Sequence, residues 1–189
     1  LLYLDANQGW EPKQAVQVIQ ALEKSGVVLE FVEQPVKATD LAGLKFVTDH
    51  TLTPILADEA VFTVANALHI LSTGSADIIN IKPARVGGLL ESVDIHDMCV
   101  SRGIPVWCGG MLETGIGRAA NVALAAMPGF TLPGDTSASA RYFAVDITEP
   151  FVLENGQLRV PTGPGIGVDP IPAYLEELTS EVAEVDFSN

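Results

Sequence analysis

Four polar side chains, each closing an apolar run, recur at nearly constant intervals along this chain. They are Asp5, Glu33, Asp58 and Lys82, separated by 28, 25 and 24 residues. Each run precedes a segment with helical periodicity, so one interval corresponds to one strand followed by one helix. Strands joined in this way lie parallel, and their carboxyl ends meet at one edge of the sheet. We therefore expect the four polar groups to gather at a single site.

The alternation of apolar strand-like segments and amphipathic helix-like segments predicts an α/β fold. Strands are predicted at 1–5, 27–33, 54–58, 77–82 and 104–108, with a weaker one at 130–134, and helices at 11–25, 39–49, 63–73, 88–102 and 114–127. The predicted strands are apolar on both faces, which is typical of a buried parallel sheet. We interpret the chain as the carboxyl-terminal portion, about six βα units, of a TIM-type (β/α) barrel.

The domain organisation follows from the strand count. A closed eight-stranded barrel of this type requires about 250 residues, whereas this chain has 189. We therefore expect residues 1–140 to form a partial barrel, from its third to its eighth strand, that belongs to a longer protein. Residues 141–189 are predicted to be a tail that packs on the barrel, with a hairpin turn at Asn155-Gly156 and a final acidic helix at 171–183.

The charge of the chain restricts the class of partner. A net charge of −14 argues against nucleic acid and anionic membrane surfaces, because both would repel the protein. It favours a small molecule together with a divalent cation. No apolar stretch approaches the roughly 20 residues of a membrane span. Cys99 and Cys108 form no disulfide framework, which favours the reducing cytoplasm, and we expect a homo-oligomer.

The candidate ligands point to a hard metal ion. Carboxylates converging from neighbouring strands make an all-oxygen site, which suits Mg²⁺ or Mn²⁺ better than zinc, for which sulfur or imidazole ligands are expected. The proposed ligands are Asp5, Glu33 and Asp58. The three histidines lie on predicted helices without ligand-like spacing, and they are interpreted as ordinary surface or interhelical residues: His50, His69 and His96.

Further polar residues stand close to these ligands in the sequence. Asn7 shares a strand face with Asp5 and is predicted to orient it, whereas Glu59 is predicted to support the site from the opposite face. Lys82 closes an apolar strand, where an ammonium group can transfer protons or form a salt bridge with a carboxylate, and the pattern leaves both roles open. Arg85 follows at a helix entrance, where it can bind an anion or form a structural pair.

The motifs DAN, VEQP, ADE and NIKPARVGG, followed by PVWCGGMLETGIGRAANVALAAMPGFTLPGDTSAS and VPTGPGIGV, resemble those of the enolase superfamily, muconate-lactonizing subgroup. The resemblance is greatest to o-succinylbenzoate synthases and N-acylamino acid or N-succinylamino acid racemases. It implies Mg²⁺ held by Asp5, Glu33 and Asp58, with Lys82 as an acid/base or electrostatic lysine near Arg85. It also implies a substrate-binding loop containing Gly110, Met111 and Glu113.

The resemblance is uneven along the chain. The amino-terminal half is more similar to dipeptide epimerases, which carry an Asp-x-Asp pair where this chain has PGDTSAS, so that only Asp135 remains. The usual Asp-Glu-Ser is Asp58-Glu59-Ala60 here. The Lys-x-Lys motif of the family, which supplies a second catalytic lysine, does not occur in the sequence.

Three hypotheses for function result. The first is Mg²⁺-dependent enolisation of a carboxylate, either in o-succinylbenzoate synthesis or in N-acylamino acid racemisation, with little turnover expected from this chain alone. The second is a dipeptide epimerase of the L-Ala-D/L-Glu type. The third is a non-catalytic metal-binding fragment.

Overall fold

The structure, a computed structural model, describes residues 2–184. One sheet of five parallel strands forms its centre, and the strands lie side by side in chain order. Their bounds are Leu4–Asp5 (β1), Val32–Glu33 (β2), Ile55–Ala57 (β3), Ile78–Ile81 (β4) and Val106–Cys108 (β5). Sequential parallel order means that every crossover is a single strand–helix step, as the spacing of the polar residues predicts.

Seven helices accompany the sheet within the described residues. They are Pro12–Lys24 (α1), Leu41–His50 (α2), Val64–Thr73 (α3), Pro83–Val86 (α4), Leu89–Val100 (α5), Gly115–Ala125 (α6) and Pro172–Leu178 (α7), with a short 3₁₀ turn at Ser139–Arg141. The five helices predicted in the first 127 residues are confirmed as α1, α2, α3, α5 and α6, whereas the single turn of α4 has no counterpart in the prediction. Within residues 2–184, no helix combines the length and the apolar character that crossing a bilayer requires.

The sheet curls strongly. Strands β1 and β5 are separated by four strand spacings, about 19 Å in a flat sheet, yet the rings of Tyr3 and Trp107 lie 5.9 Å apart. The rings of Phe31 and Trp107 are 5.8 Å apart. Contacts of this kind require the strands to bend toward each other on one face, which is the curvature of a barrel wall. The α/β class and the partial barrel are therefore confirmed.

The two faces of this wall bury different side chains. The outer face packs against the helices in the main core, which includes Val32, Ile55, Ile79 and Ile81. The inner face carries a smaller cluster formed by Phe31, Leu56, Ile78 and Trp107. Because successive strand residues point to opposite faces, both clusters arise from the same apolar runs. Burial on both faces explains why the strands show no polar alternation.

Three predicted elements are shorter than expected. The strand at 130–134 is reduced to one bridge between Phe130 and Val106, since the run reaches Pro133, which has no N–H to donate. The hairpin at Asn155-Gly156 forms its turn with positive φ angles but pairs only through Glu154 and Gln157, because the segment before the turn, with Val152 and Leu153, is exposed and offers no packed face. The helix at 171–183 is the seven-residue α7, which buries no residue. Leu1 of the first predicted strand lies outside the described residues.

The tail contacts the barrel through α6. Phe151 is buried against Ala119 and Val122, and Leu158 and Val168 pack onto the same cluster. A carboxylate oxygen of Asp146 also accepts the first N–H of α6, from Gly115, at 2.9 Å. These contacts bring the tail onto the barrel. The division into residues 1–140 and 141–189 stays a prediction, and residues 185–189 lie beyond the described part of the chain.

Replacing Ile79 by alanine is expected to lower the free energy of unfolding by about 2–5 kcal/mol, because the side chain is wholly buried in the centre of β4 and truncation leaves a cavity. Leu90→Ala is the control, since Leu90 is 81% exposed on α5 and its loss is expected to change stability by less than about 0.5 kcal/mol. Urea denaturation of both variants measures the difference. Equal effects would contradict the described core.

Candidate functional site

The strand register places the predicted carboxylates on the inner face of the sheet, at its carboxyl-terminal edge. Asp5 pairs with Glu33, and Glu33 pairs with Leu56. Asp58 lies two residues beyond Leu56 and therefore shares its face. Glu33 likewise lies two residues beyond Phe31, which belongs to the inner cluster. The three carboxylates thus occupy adjacent positions above the inner apolar cluster.

Asp58 is the centre of a nearly buried ion-pair group. One of its oxygens accepts a hydrogen bond from Lys82 Nζ at 2.8 Å. Arg85 donates from Nη1 to the other oxygen at 2.6 Å and from Nη2 to the shared oxygen at 3.2 Å. The salt-bridge alternative for Lys82 and the structural pair for Arg85 are therefore both present in the structure.

The short helix α4 explains how Arg85 reaches Asp58. Pro83 occupies the first turn, where its fixed φ suits a helix start. Gly87 ends the helix with a φ of 107°, in the region that glycine adopts without strain. One turn of helix directly after β4 brings Arg85 back over the strand end. The sequence Lys-Pro-x-Arg-x-Gly-Gly thus delivers two cations to one carboxylate.

Glu33 is the most buried of the three carboxylates, with 3% of its surface exposed. Burial, followed by the negative charges of Asp58 and Asp5, raises the pKa of Glu33 to about 8. A hydrogen bond from Asn80 Nδ2 to Glu33 Oε1, 3.1 Å long, opposes this rise. Asp5 and Asp58 are therefore close enough to disfavour ionisation of Glu33. A nearby cation would relieve this repulsion.

Two buried amides support the site and were missed by the sequence analysis. Asn80 bridges Glu33 and the backbone N–H of Gly109. The side-chain oxygen of Gln34 accepts the N–H groups of Asp58 and Ala60, each at 3.0 Å. Asn80 had a usable signal, since it lies two residues before Lys82 and hence on the same strand face. Gln34 gave no such signal, because the N–H groups that it binds, those of Asp58 and Ala60, follow a different strand.

Gly109 leaves space for the lysine. A Cβ atom at this position would lie 2.6 Å from Lys82 Cε and 2.6 Å from Asn80 Oδ1. Both distances are far below van der Waals contact. The absence of a side chain at the end of β5 therefore lets the Lys82 stem and the Asn80 amide lie side by side.

Replacing Gly109 by alanine is expected to destabilise the fold by about 1–3 kcal/mol, because the new methyl group must displace Lys82 or Asn80. Gly110→Ala is the matched control, since its Cβ would meet Asp135 Oδ1 at an ordinary 3.4 Å. Urea denaturation curves of the two variants test the comparison. A Gly109→Ala variant as stable as Gly110→Ala would contradict the described packing.

The predicted supporting residues are placed as follows. The backbone N–H of Asn7, rather than its side chain, donates to Asp5 Oδ1 at 2.8 Å. Glu59 is half-buried, and burial raises its pKa. Its Oε2 atom has no hydrogen-bond partner among residues 2–184. Asn7 thus orients Asp5 through the backbone, and Glu59 borders the site with one carboxylate oxygen unpaired.

The predicted substrate-binding residues lie on two loops: Gly110, Met111 and Glu113 on the loop after β5, and Asp135 on the loop beyond α6. The N–H of Gly110 donates to Asp135 Oδ1 at 2.5 Å. Both carboxylate oxygens of Glu113 accept the N–H of Met111 at 2.8 Å, and Asn121 donates to one of them at 2.9 Å. Since Gly110 follows the glycine that contacts the lysine stem, this group adjoins the ion-pair group.

Arg118 joins the loop after β5 to the loop that carries Asp135. The sequence analysis did not identify it. The side chain is almost wholly buried on α6, and it donates from Nη2 to the backbone oxygen of Glu113 and from Nη1 to that of Ser137. These bonds fix the ends of the two loops that carry Gly110 and Asp135. An arginine within the apolar stripe of a predicted helix was the available signal.

Cys108 and His96 have the ordinary roles that were predicted. Burial raises the pKa of the Cys108 thiol to about 12, so it stays protonated. His96 is buried between α5 and the segment that follows α6, where its Nε2 lies 2.8 Å from the oxygen of Pro128 and its ring stacks on Phe130.

The donor set fits a hard cation in chemistry, although it is not arranged as a ligand cluster. Within residues 2–184, no three His, Cys, Asp or Glu side chains lie in positions that could hold a metal ion. Asp58 faces its two cations: Oδ2 accepts from both Lys82 and Arg85, whereas Oδ1 accepts only from Arg85 and keeps one lone pair free. Oxygen donors and the mutual repulsion at Glu33 match what Mg²⁺ or Mn²⁺ would satisfy.

Comparison with known proteins gives a consistent result. Residues 1–174 match the family of enolase C-terminal domain-like proteins. An N-succinylamino acid racemase from Amycolatopsis sp is 52% identical over 180 residues, which cover 95% of this chain and 48% of that protein. An o-succinylbenzoate synthase from Geobacillus kaustophilus is 45% identical over 179 residues, covering 94% and 47%.

Two further similarities concern the alternative function and the fold. An L-Ala-D/L-Glu epimerase from Bacillus subtilis is 50% identical over 125 residues, which cover 66% of this chain and 34% of that protein. A crystal structure of an enolase superfamily member from Listeria innocua superposes with a TM-score of 0.86 at 40% identity, covering 94% of this chain and 47% of that one. The chain therefore spans about half the length of these relatives or less.

Proposed function

Because this chain belongs to the enolase superfamily, we propose a role for its carboxylate rim, which is formed by Asp5, Glu33 and Asp58 at the carboxyl-terminal edge of the sheet. This rim takes part in the Mg²⁺-dependent enolisation of a small carboxylate substrate. The observation that carries this proposal is the convergence of Lys82 with Asp58 and Glu33 at one strand edge. A lysine beside a cluster of oxygen ligands combines a proton carrier with a place for a divalent cation.

The metal would be held by Asp5, Glu33 and Asp58. When bound, Mg²⁺ supplies positive charge that offsets the negative charge growing on the substrate carboxylate as its α-proton leaves. Lys82 Nζ is the group that would exchange this proton. Arg85 shares Asp58 with Lys82, so the lysine is not held in an exclusive pair and can turn toward a substrate.

The loop after β5 would contact the rest of the substrate. Gly110 bonds to Asp135, and Met111 bonds to Glu113, so this loop begins beside the lysine with two hydrogen-bonded pairs. The similarity to racemases and synthases favours an N-succinylamino acid or the hydroxy-acid precursor of o-succinylbenzoate as the substrate class. The epimerase alternative would need Asp135 to bind a substrate ammonium, yet this carboxylate already accepts the Gly110 N–H.

Racemisation requires a base on each face of the α-carbon, and this sequence has no Lys-x-Lys motif to supply the second one. We therefore propose that these 189 residues alone exchange the α-proton of one enantiomer faster than they racemise it, and that overall turnover is low. If these residues exchange no α-proton at all, a non-catalytic metal-binding role is what remains.

Deuterium exchange tests the proposal. The chain is incubated in D₂O with MgCl₂ and each enantiomer of an N-succinylamino acid, and proton NMR follows the α-proton. We expect Mg²⁺-dependent exchange of one enantiomer, with dehydration to o-succinylbenzoate assayed in parallel. Faster exchange with L-Ala-L-Glu would favour the epimerase alternative. Mg²⁺ binding without exchange or product would leave the non-catalytic alternative.

We also propose a cytoplasmic homo-oligomer. Both cysteines are buried free thiols, which supports a reducing compartment.

A further inference from the structure

Asn80 lies wholly buried on the inner face of β4, and its side chain joins two strands. Its Oδ1 atom accepts the N–H of Gly109 at 2.8 Å, and its Nδ2 atom donates to Glu33 Oε1 at 3.1 Å. The direction of the amide is determined by its partners. Because the Gly109 N–H is a donor, only the oxygen can face it, so the NH₂ group must face the carboxylate.

This arrangement gives Glu33 a directed neutral donor in a site where two other carboxylates repel it. The hydrogen bond fixes the position of one carboxylate oxygen of Glu33. The same amide holds β4 and β5 together beside Lys82, whose stem passes Gly109.

We propose that Asn80 is a positioning residue that presents the Glu33 carboxylate in a fixed orientation to a divalent cation. This inference rests on the proposed function, since it assigns a role toward the proposed Mg²⁺ site. A purely structural amide would fill space and satisfy Gly109 without any effect on metal affinity. Asn80 instead acts on the metal site through Glu33, and on the neighbouring strand through Gly109.

The test compares Asn80→Leu with the wild-type chain and with Thr48→Val. Leucine has nearly the size of asparagine but makes neither hydrogen bond. Thr48 is a matched control, because its hydroxyl donates to the oxygen of Ser75 at 2.8 Å, in the segment that precedes β4, and so at the opposite end of the sheet from the rim. Both substitutions remove buried hydrogen bonds and should lower the melting temperature.

Calorimetric titration with MgCl₂ alone measures the dissociation constant. Asn80→Leu is expected to weaken Mg²⁺ binding about 10–100-fold, while Thr48→Val is expected to stay within about twofold of wild type. In ¹⁵N-labelled wild-type chain, Mg²⁺ should shift the Gly109 amide resonance through Asn80, and this shift should be lost in Asn80→Leu. Asn80→Ala, which cannot overfill the site, is measured in the same way in case the leucine variant does not fold.

The outcomes distinguish the proposed function from the positioning role of Asn80. If the wild-type chain binds no Mg²⁺, the proposed function fails and the role of Asn80 fails with it. If the wild type binds Mg²⁺ and the Asn80 variants bind it equally well, the proposed function stands and the positioning role is overturned. Weaker binding in both Asn80 variants, with Thr48→Val unchanged, supports it.

Discussion

Replacing Lys82 by alanine is expected to reduce the rate of substrate α-proton exchange about a thousandfold, the typical contribution of a positioned acid/base group. Within the described residues, the other lysines lie on helices or in the loop before α2, away from the rim, so none can replace it. Asp58 keeps its bidentate bond with Arg85 in the variant, and so the fold should survive. Proton NMR in D₂O with MgCl₂ measures the rate.

Two further variants separate the roles of the lysine. Lys82→Arg keeps a positive charge beside Asp58 but cannot lose a proton, so exchange should fall as far as in the alanine variant if Lys82 is the base. Partial activity would instead indicate an electrostatic role. Lys45→Ala is the control, since Lys45 pairs with Asp49 on the surface of α2 and its loss should not change the rate. Wild-type exchange in Lys82→Ala would contradict the proposed mechanism.

Much of the fold follows from periodicities that are local in the sequence. The apolar runs that end at Asp5, Glu33 and Asp58 predict strands that are buried on both faces. Each intervening segment carries an apolar stripe with helical spacing. The ends of elements are less predictable. The run at 130–134 has the composition of a strand, but Pro133 limits its pairing, and only the sheet shows that one bridge forms.

Some features of the candidate site can likewise be predicted from the sequence, and others cannot. That the carboxylates share an edge follows from parallel order alone. Which cation each carboxylate meets depends on side-chain reach after the chain has folded, and the pairing of Asp58 with both Lys82 and Arg85 could not be derived from spacing. Asn80 and Gln34 act between strands that are more than 20 residues apart in the chain. Their roles therefore depend on register, which no local pattern records.

The arrangement has a cost that supports the proposal of a cation at this rim. Glu33 is forced against two carboxylates on a face that otherwise buries aromatic and aliphatic side chains. Lys82 and Arg85 both bind Asp58, and Asn80 offers Glu33 only a neutral donor. The rim is therefore short of positive charge at Glu33, since Lys82, whose charge lowers the Glu33 pKa, is bonded to Asp58.

Replacing Glu33 by glutamine is expected to stabilise the metal-free chain at high pH. The pKa of Glu33 is about 8 in the fold and 4.5 as its ordinary value, so the folded state binds the extra proton between these values. Stability must then fall as the pH rises from about 5 to about 8, by on the order of 5 kcal/mol in total. Glutamine does not ionise, and it can still accept the Asn80 hydrogen bond.

Thermal unfolding in EDTA across pH 5.5–9 measures this effect as the difference in melting temperature between Glu33→Gln and wild type. The difference should widen with pH to about 10 °C, and comparing the two proteins cancels the titration of all other groups. Saturating Mg²⁺ should reverse the order at pH 8.5, because the ion stabilises only a chain that offers the charged ligand. A difference that does not change with pH would mean that Glu33 is already ionised without a cation, and the repulsion that supports the proposed metal site would then be absent.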